Sequence, residues 1–190
     1  MASAGAEVLH DKVFKYKPGD LSIRIVSRHG PLDGDGTMID GTLPENLVEP
    51  YERSVFLLNL IGDIVSNPSS LTHLTEVVEA AGGRILGLNG NEESTLLVVD
   101  GNPLETLNGA NRLVESGEVK AISCAEGLAY LTVKGRGLDE TEGVSKAKKA
   151  LTGIGVKVPW VQVGHSWFSL LVDQDKLEEA IKALKSALTA

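Results

Sequence analysis

Four histidines (His10, His29, His73 and His165), one cysteine (Cys124) and a glycine-rich acidic loop are the raw material for metal or nucleophile chemistry. The histidines are isolated, and none has the HxxxH or HExxH spacing that aims two imidazoles at one metal. Asp33, Asp35 and Asp40 would open a calcium loop only with a glutamate at the twelfth position, where the chain has Pro44. Cys124 has small, apolar neighbours and no histidine beside it, so it reads as a buried hydrophobe. A single thiol also cannot close an internal disulfide or build a thiolate cage. The serines lack a GxSxG elbow. Gly34 with Gly36, and Gly135 with Gly137, are lone GxG pairs without the lysine of a phosphate loop, and read as turns. The expectation is a chain with no catalytic residues, no metal site and no cofactor.

The bulk properties narrow the class further. With 190 residues, 42% of them apolar, the chain can hold one large domain or two small ones. A net charge of −8 argues against nucleic acid, whose phosphates call for clustered Lys and Arg. The one basic cluster, Lys146, Lys148 and Lys149, falls on an expected helix as a solvated face. No apolar run nears the roughly 18 residues of a membrane span. Residues 1–6 run straight into Glu7, His10 and Asp11 without a signal-peptide core. A cytoplasmic protein, with no membrane or nucleic-acid partner, is expected.

What must position any site is a duplication. Residues 54–111 lie on residues 127–184 at a constant offset of 73, without a gap. Leu58 falls on Leu131, Gly62 on Gly135, Gly82 on Gly155, Leu97 on Leu170, Asp100 on Asp173 and Ala110 on Ala183. A period this long is a small domain used twice. In each copy a β-rich apolar run, 55–61 or 128–133, ends at a glycine. A helix follows, with Leu71, Leu74, Val77 and Val78 on one face in the first copy and Val144, Ala147, Ala150 and Leu151 in the second. Gly82 and Gly155 are placed to end those helices in the left-handed conformation. Two strands then form a hairpin, 84–89 with 94–99 and 156–163 with 167–172, putting Trp160 and Trp167 in strands as packing residues. A last helix is clearest at 176–188, where Leu177, Ala180, Ile181 and Leu184 share a face.

The order strand, helix, strand, strand, helix predicts an α+β fold of two duplicated ferredoxin-like βαββα(β) units. The closing strand of the first unit is expected at 119–123; no residues remain after Ala190 to close the second. Units this small bury little core alone, so pairing is expected. Ahead of them, residues 21–26 alternate as a half-buried strand, 31–36 form a turn-rich loop, and 43–51 read as a connector with two prolines.

The leader and the two units together resemble the C-terminal regulatory region of aspartate kinases, a tandem pair of ACT domains. The leader carries most of the likeness: residues 8–10, 14–20 (with Pro18, Gly19 and Asp20), 23–26 and 36–39 resemble the strand and loop that close the kinase domain. In the second copy, Gly135, Gly137 and Glu142-Gly143-Val144 are similar to the glycine loop that opens an ACT helix. The resemblance implies a leader at 1–50, a first ACT-like unit at 51–123 and a second at 124–190. The ATP- and aspartate-binding residues of that family lie in a large domain with no counterpart here. A regulatory subunit or fragment is therefore implied, not an enzyme on its own.

The resemblance also implies an effector site. In such pairs an amino acid, usually lysine or threonine, binds where the loop after the first strand meets a neighbouring unit. By position that loop runs over 62–70 and the facing hairpin is 89–94, which makes Asp63, Asn67, Ser69, Asn91 and Glu92 the effector-binding candidates. Backbone N–H groups at a helix start would hold the ligand carboxylate. A homodimer and a separate catalytic kinase chain are the implied partners. Against this, Ser69 or Ser70 also suits a helix N-cap and the hairpin residues suit a turn. Serine stands where the family has glycine at the first helix, and Leu86 where an acidic residue is common. The altered first loop favours the alternative, a structural ACT-type dimerisation module without ligand; the polar hairpin disfavours it.

Overall fold

Strand Val55–Ile61 is apolar on both faces, and such a strand has to lie inside a sheet covered on both sides. The computed structural model describes residues 22–26, 36–39, 46–64, 67–135, 140–164 and 167–188. In chain order these form β1 (Ile23–Val26), β2 (Gly36–Ile39), β3 (Asn46–Pro50), β4 (Val55–Ile61), α1 (Pro68–Ala80), β5 (Arg84–Gly90) and β6 (Ser94–Asp100). There follow α2 (Pro103–Glu115), β7 (Ala121–Gly135), α3 (Glu140–Gly153), β8 (Val161–Gly164), β9 (Trp167–Asp173), a 3-10 turn (Gln174–Lys176) and α4 (Leu177–Leu188). The class is α+β, and every strand pair among the described residues is antiparallel.

β1 and β2 pair with each other, Ile23 opposite Ile39. The main sheet runs β5-β6-β4-β7-β9-β8, with β3 added on β7. The helices α1 and α2 cover one half of it: Phe56, Leu58, Leu60, Leu97 and Val99 meet Leu74, Val78, Ala110 and Leu113 in one core. The helices α3 and α4 cover the other, where Leu131, Val133, Phe168, Leu170 and Val172 meet Ala147, Leu151, Ala180 and Leu184. Each fully buried leucine adds about 1.5–3 kcal/mol of apolar burial. The opposite faces of the two halves meet at a third cluster, Val55, Leu57, Val98, Leu128, Trp160 and Leu171. There the ends of the sheet approach each other, and Asn89 Nδ2 donates to the Val161 carbonyl at 3.0 Å.

Gly82 (φ +69°) and Gly155 (φ +75°) end their helices in the left-handed region, as their spacing predicts. Other expectations are corrected. The strands expected at 119–123 and 128–133 are one continuous strand, β7, so a single strand serves both halves. Its two parts are offset at a register shift near Gly127 (φ +71°), where an extra residue is absorbed in a conformation that favours glycine. The stretch read as a connector contains β3, which pairs with β7 from Asn46–Gly135 to Pro50–Leu131. It lies beside 131–135 of β7, where a closing strand of the second unit would stand. Pro50 is tolerated because β3 is an edge strand, where a missing N–H costs no ladder bond. Trp160 lies just before the short strand β8 rather than within a strand beginning at 156. No helix among the described residues is long and apolar enough to cross a membrane.

Candidate functional site

The register of β4 on β6 sets Ile61 opposite Ser94, so the loop after β4 meets the β5–β6 turn. Gly62 N donates to the Glu93 carbonyl at 2.8 Å. From the other side Lys120 N donates to the Ile61 carbonyl at 2.7 Å, bringing in the turn between α2 and β7. Asp63 is thereby held next to the hairpin that carries Asn91 and Glu92, and all three are exposed. Asn67 lies further along, beyond residues 65 and 66, and its N–H donates back to the Ile64 carbonyl at 3.1 Å.

Two of the five candidates are committed to local structure. Asn67 is the N-cap of α1, its Oδ1 accepting from Ser69 N at 3.2 Å with Pro68 at the first helical position. The cap is thus Asn67, not Ser69 or Ser70. Ser69 stands exposed in the first turn, its N–H taken by the Asn67 cap. Asn91 Oδ1 accepts from Glu93 N at 2.8 Å and from Ser94 N at 2.9 Å, which closes the hairpin turn. Asp63, Ser69 and Glu92 are exposed.

Glu118, absent from the sequence-based candidates, borders this junction. Its carboxyl is held below the usual range by the Ser70 hydroxyl first, then by Ser116 and by His73. Ser116 Oγ lies 2.9 Å from Glu118 Oε1, and His73 Nδ1 lies 3.4 Å from Oε2. Glu118 falls in a short turn after α2, and no pattern around it marks it in the sequence.

The far end of the same two strands carries a second polar cluster. Asp100 lies opposite Val55, and its carboxylate is inaccessible although it is shallow, covered by two half-exposed guanidinium groups. It accepts from Tyr51 Oη, from Arg53 Nη1 at 3.0 Å, from Arg84 N at 2.8 Å and from Arg84 Nη2 at 3.1 Å. Burial alone would raise its pKa; the hydrogen bonds from Tyr51 and Arg84 outweigh that and hold it below the ordinary 3.8. The Tyr51 phenol is pushed above 10.0, chiefly by its hydrogen bond to Asp100.

The Cys124 thiol is pushed up by burial and then by the charge of Glu126, the opposite of what a nucleophile needs. His10, His29 and His165, and Asp33, Asp35 and Asp40, lie outside the described residues. Among the described residues no group of three or more His, Cys, Asp or Glu is placed to hold a metal.

No protein-family model and no curated protein matches the sequence. Solved structures do match. A chain of the aspartokinase alpha and beta subunit structure aligns at 15% identity with a TM-score of 0.62, over 78% of this chain and 100% of that one. The ligand-free regulatory subunit of aspartate kinase from Thermus thermophilus aligns at 16% identity and a TM-score of 0.56, over 76% and 97%. E. coli aspartokinase III in complex with lysine and aspartate aligns at 19% identity and a TM-score of 0.54. That match takes in 90% of this chain but 40% of that one. At these identities the likeness is one of fold: the chain resembles the regulatory subunits and C-terminal regulatory regions of aspartate kinases.

Proposed function

We propose that this chain is an amino-acid-sensing regulatory module of the aspartate-kinase type, built from two ferredoxin-like ACT units. The strand order supports two such units. Residues 121–125 of β7, then β4, β6 and β5, form one four-stranded set; β3, then 128–135 of β7, β9 and β8, form the other. The observation that carries the functional reading is the bond from Gly62 to Glu93. It juxtaposes an acidic side chain, a helix start and a polar hairpin in a fold shared with stand-alone kinase regulatory subunits. Asp63 and Glu92 would hold the effector's ammonium group, and the Ser69 hydroxyl with the positive end of the α1 dipole its carboxylate. Lysine, bound in the E. coli relative, and threonine are the effectors proposed.

In this reading the module is a cytoplasmic homodimer that acts on a catalytic kinase chain and does not itself phosphorylate aspartate. The effector shifts the population of two packings, and only its differential affinity for them does regulatory work. A thermal-shift screen of the purified chain against the twenty amino acids tests this. Selective stabilisation by lysine or threonine is expected, because a ligand at about 100 times its Kd adds roughly 2.7 kcal/mol. Turnover of ATP and aspartate by this chain alone would contradict it.

A second reading has its own observation. Asn67 and Asn91 spend their side-chain oxygens on a cap and a turn, as a purely structural ACT dimerisation module would require. No amino acid would then shift the melting temperature.

A further inference from the structure

We propose that residues 51–54 are a strap whose latch on Asp100 sets the seam between the two halves of the main sheet. The strap carries the chain from β3, paired on the C-terminal part of β7, to β4 in the other half. Tyr51 belongs to both. Its N–H donates to the Tyr130 carbonyl at 2.8 Å, and its ring meets Tyr130 edge-on at 6.2 Å. Tyr130 in turn lies 6.0 Å from Trp160, whose ring covers the seam. The phenol of Tyr51 then reaches across to Asp100 and Arg84, on β6 and β5 of the first half. Arg53, one residue after Glu52 in the strap, adds a third side-chain donor on the same carboxylate.

Two features make this a latch rather than one more structural contact. The side-chain cluster at the seam is the smallest of three among the described residues, with six buried residues against thirteen and eleven in the helix-backed cores. The cluster also lies at the surface, so its bonds can exchange with water without unpacking either helix pair, as locally openable regions do. One carboxylate serving Tyr51, Arg53 and Arg84 makes the three contacts interdependent. The device stands whether or not an amino acid binds at the other end of β4 and β6.

The test uses acrylamide quenching of Trp160 fluorescence in a Trp167→Phe background, where Trp160 is the sole tryptophan. Trp160 is 3% exposed, so quenching begins low. Tyr51→Phe keeps the ring but frees Asp100, and quenching is expected to rise severalfold. Arg53→Gln, at an exposed side chain that cannot unfold the core, gives a smaller rise. Amide exchange at Leu58, Leu97, Leu131 and Leu170, in the helix-backed strands, stays at its parental rate. Unchanged Trp160 protection in both variants would overturn the proposal. So would acceleration of exchange at those four leucines in parallel with the quenching, since Tyr51 would then support the whole fold and not the seam.

Discussion

The phenol of Tyr51 donates to the carboxylate of Asp100, 49 residues further along the chain, and joins the two halves of the sheet at one point. Asp100 and Val55 are paired at one end of β4 and β6, and Ser94 and Ile61 at the other. The latch and the candidate effector junction are therefore the two ends of one pair of strands.

Asp100 gives stability a defined pH dependence. Its folded pKa lies below the ordinary value, so the unfolded chain binds more protons in that window and stability rises with pH there. The contribution is complete above the ordinary, unfolded value of 3.8 and is lost as pH falls through the folded value. Replacing Asp100 by Asn should cost about 1–3 kcal/mol at neutral pH, because Tyr51, Arg53 and Arg84 lose their charged acceptor. It should also flatten the melting temperature against pH on the acid side. Melting curves of both proteins from neutral pH to about pH 2 check this; parallel acid limbs would refute it.

The seam is intolerant of bulk at Gly87. A Cβ there would lie 2.5 Å from the Trp160 ring and 2.7 Å from Gln162 Oε1, in a place with no room to give. Gly87→Ala is expected to cost about 1–3 kcal/mol by overpacking and to shift Trp160 emission. Urea unfolding followed by fluorescence measures both.

Asn91 separates structure from binding. Asn91→Ala removes two acceptor contacts and should destabilise the hairpin by about 1–2 kcal/mol, while Asn91→Asp keeps an oxygen in place and should lie close to the parent. If amino-acid binding fails in the alanine variant but survives in the aspartate variant, Asn91 acts through the turn. Titration calorimetry of the two variants distinguishes the cases.

Cys124 should be slow. Its raised thiol pKa leaves little thiolate at pH 7, so labelling with a maleimide or disulfide reagent should lag a free cysteine peptide and accelerate in denaturant. Cys124 is half-buried rather than fully buried, and labelling at the peptide's rate in the folded protein would contradict even that partial cover.

Much of the fold was legible because its signals are local and periodic. β4 and β6 are apolar runs, α1 and α4 carry one-sided leucines, and Gly82 and Gly155 mark where helices must stop. The offset of 73 then carried the same element order into the second half as an expectation. What escaped depended on partners far along the chain. β3 holds a proline and is a strand only because β7 extends far enough to offer it an edge. β7 itself looked like two strands, since Glu126-Gly127 has turn composition and only tertiary pairing keeps the chain extended through it. At the site, the family resemblance implied that the loop of Asp63 meets the hairpin, and the β4–β6 register brings the two together. The capping duty of Asn67 was missed because serines two and three residues later carry the same signal. Glu118 and Asp100 owe their environments to contacts made across the fold.

The most direct test of the sensing site is two-dimensional amide NMR of the 15N-labelled chain titrated with lysine and then with threonine. Saturable shift changes are expected at Gly62, Asp63, Ser69 and 91–94, abolished by Asp63→Ala while the rest of the spectrum stays unchanged. Saturable changes centred elsewhere, or none with either amino acid, would contradict it and leave the structural dimerisation module as the function of this fold.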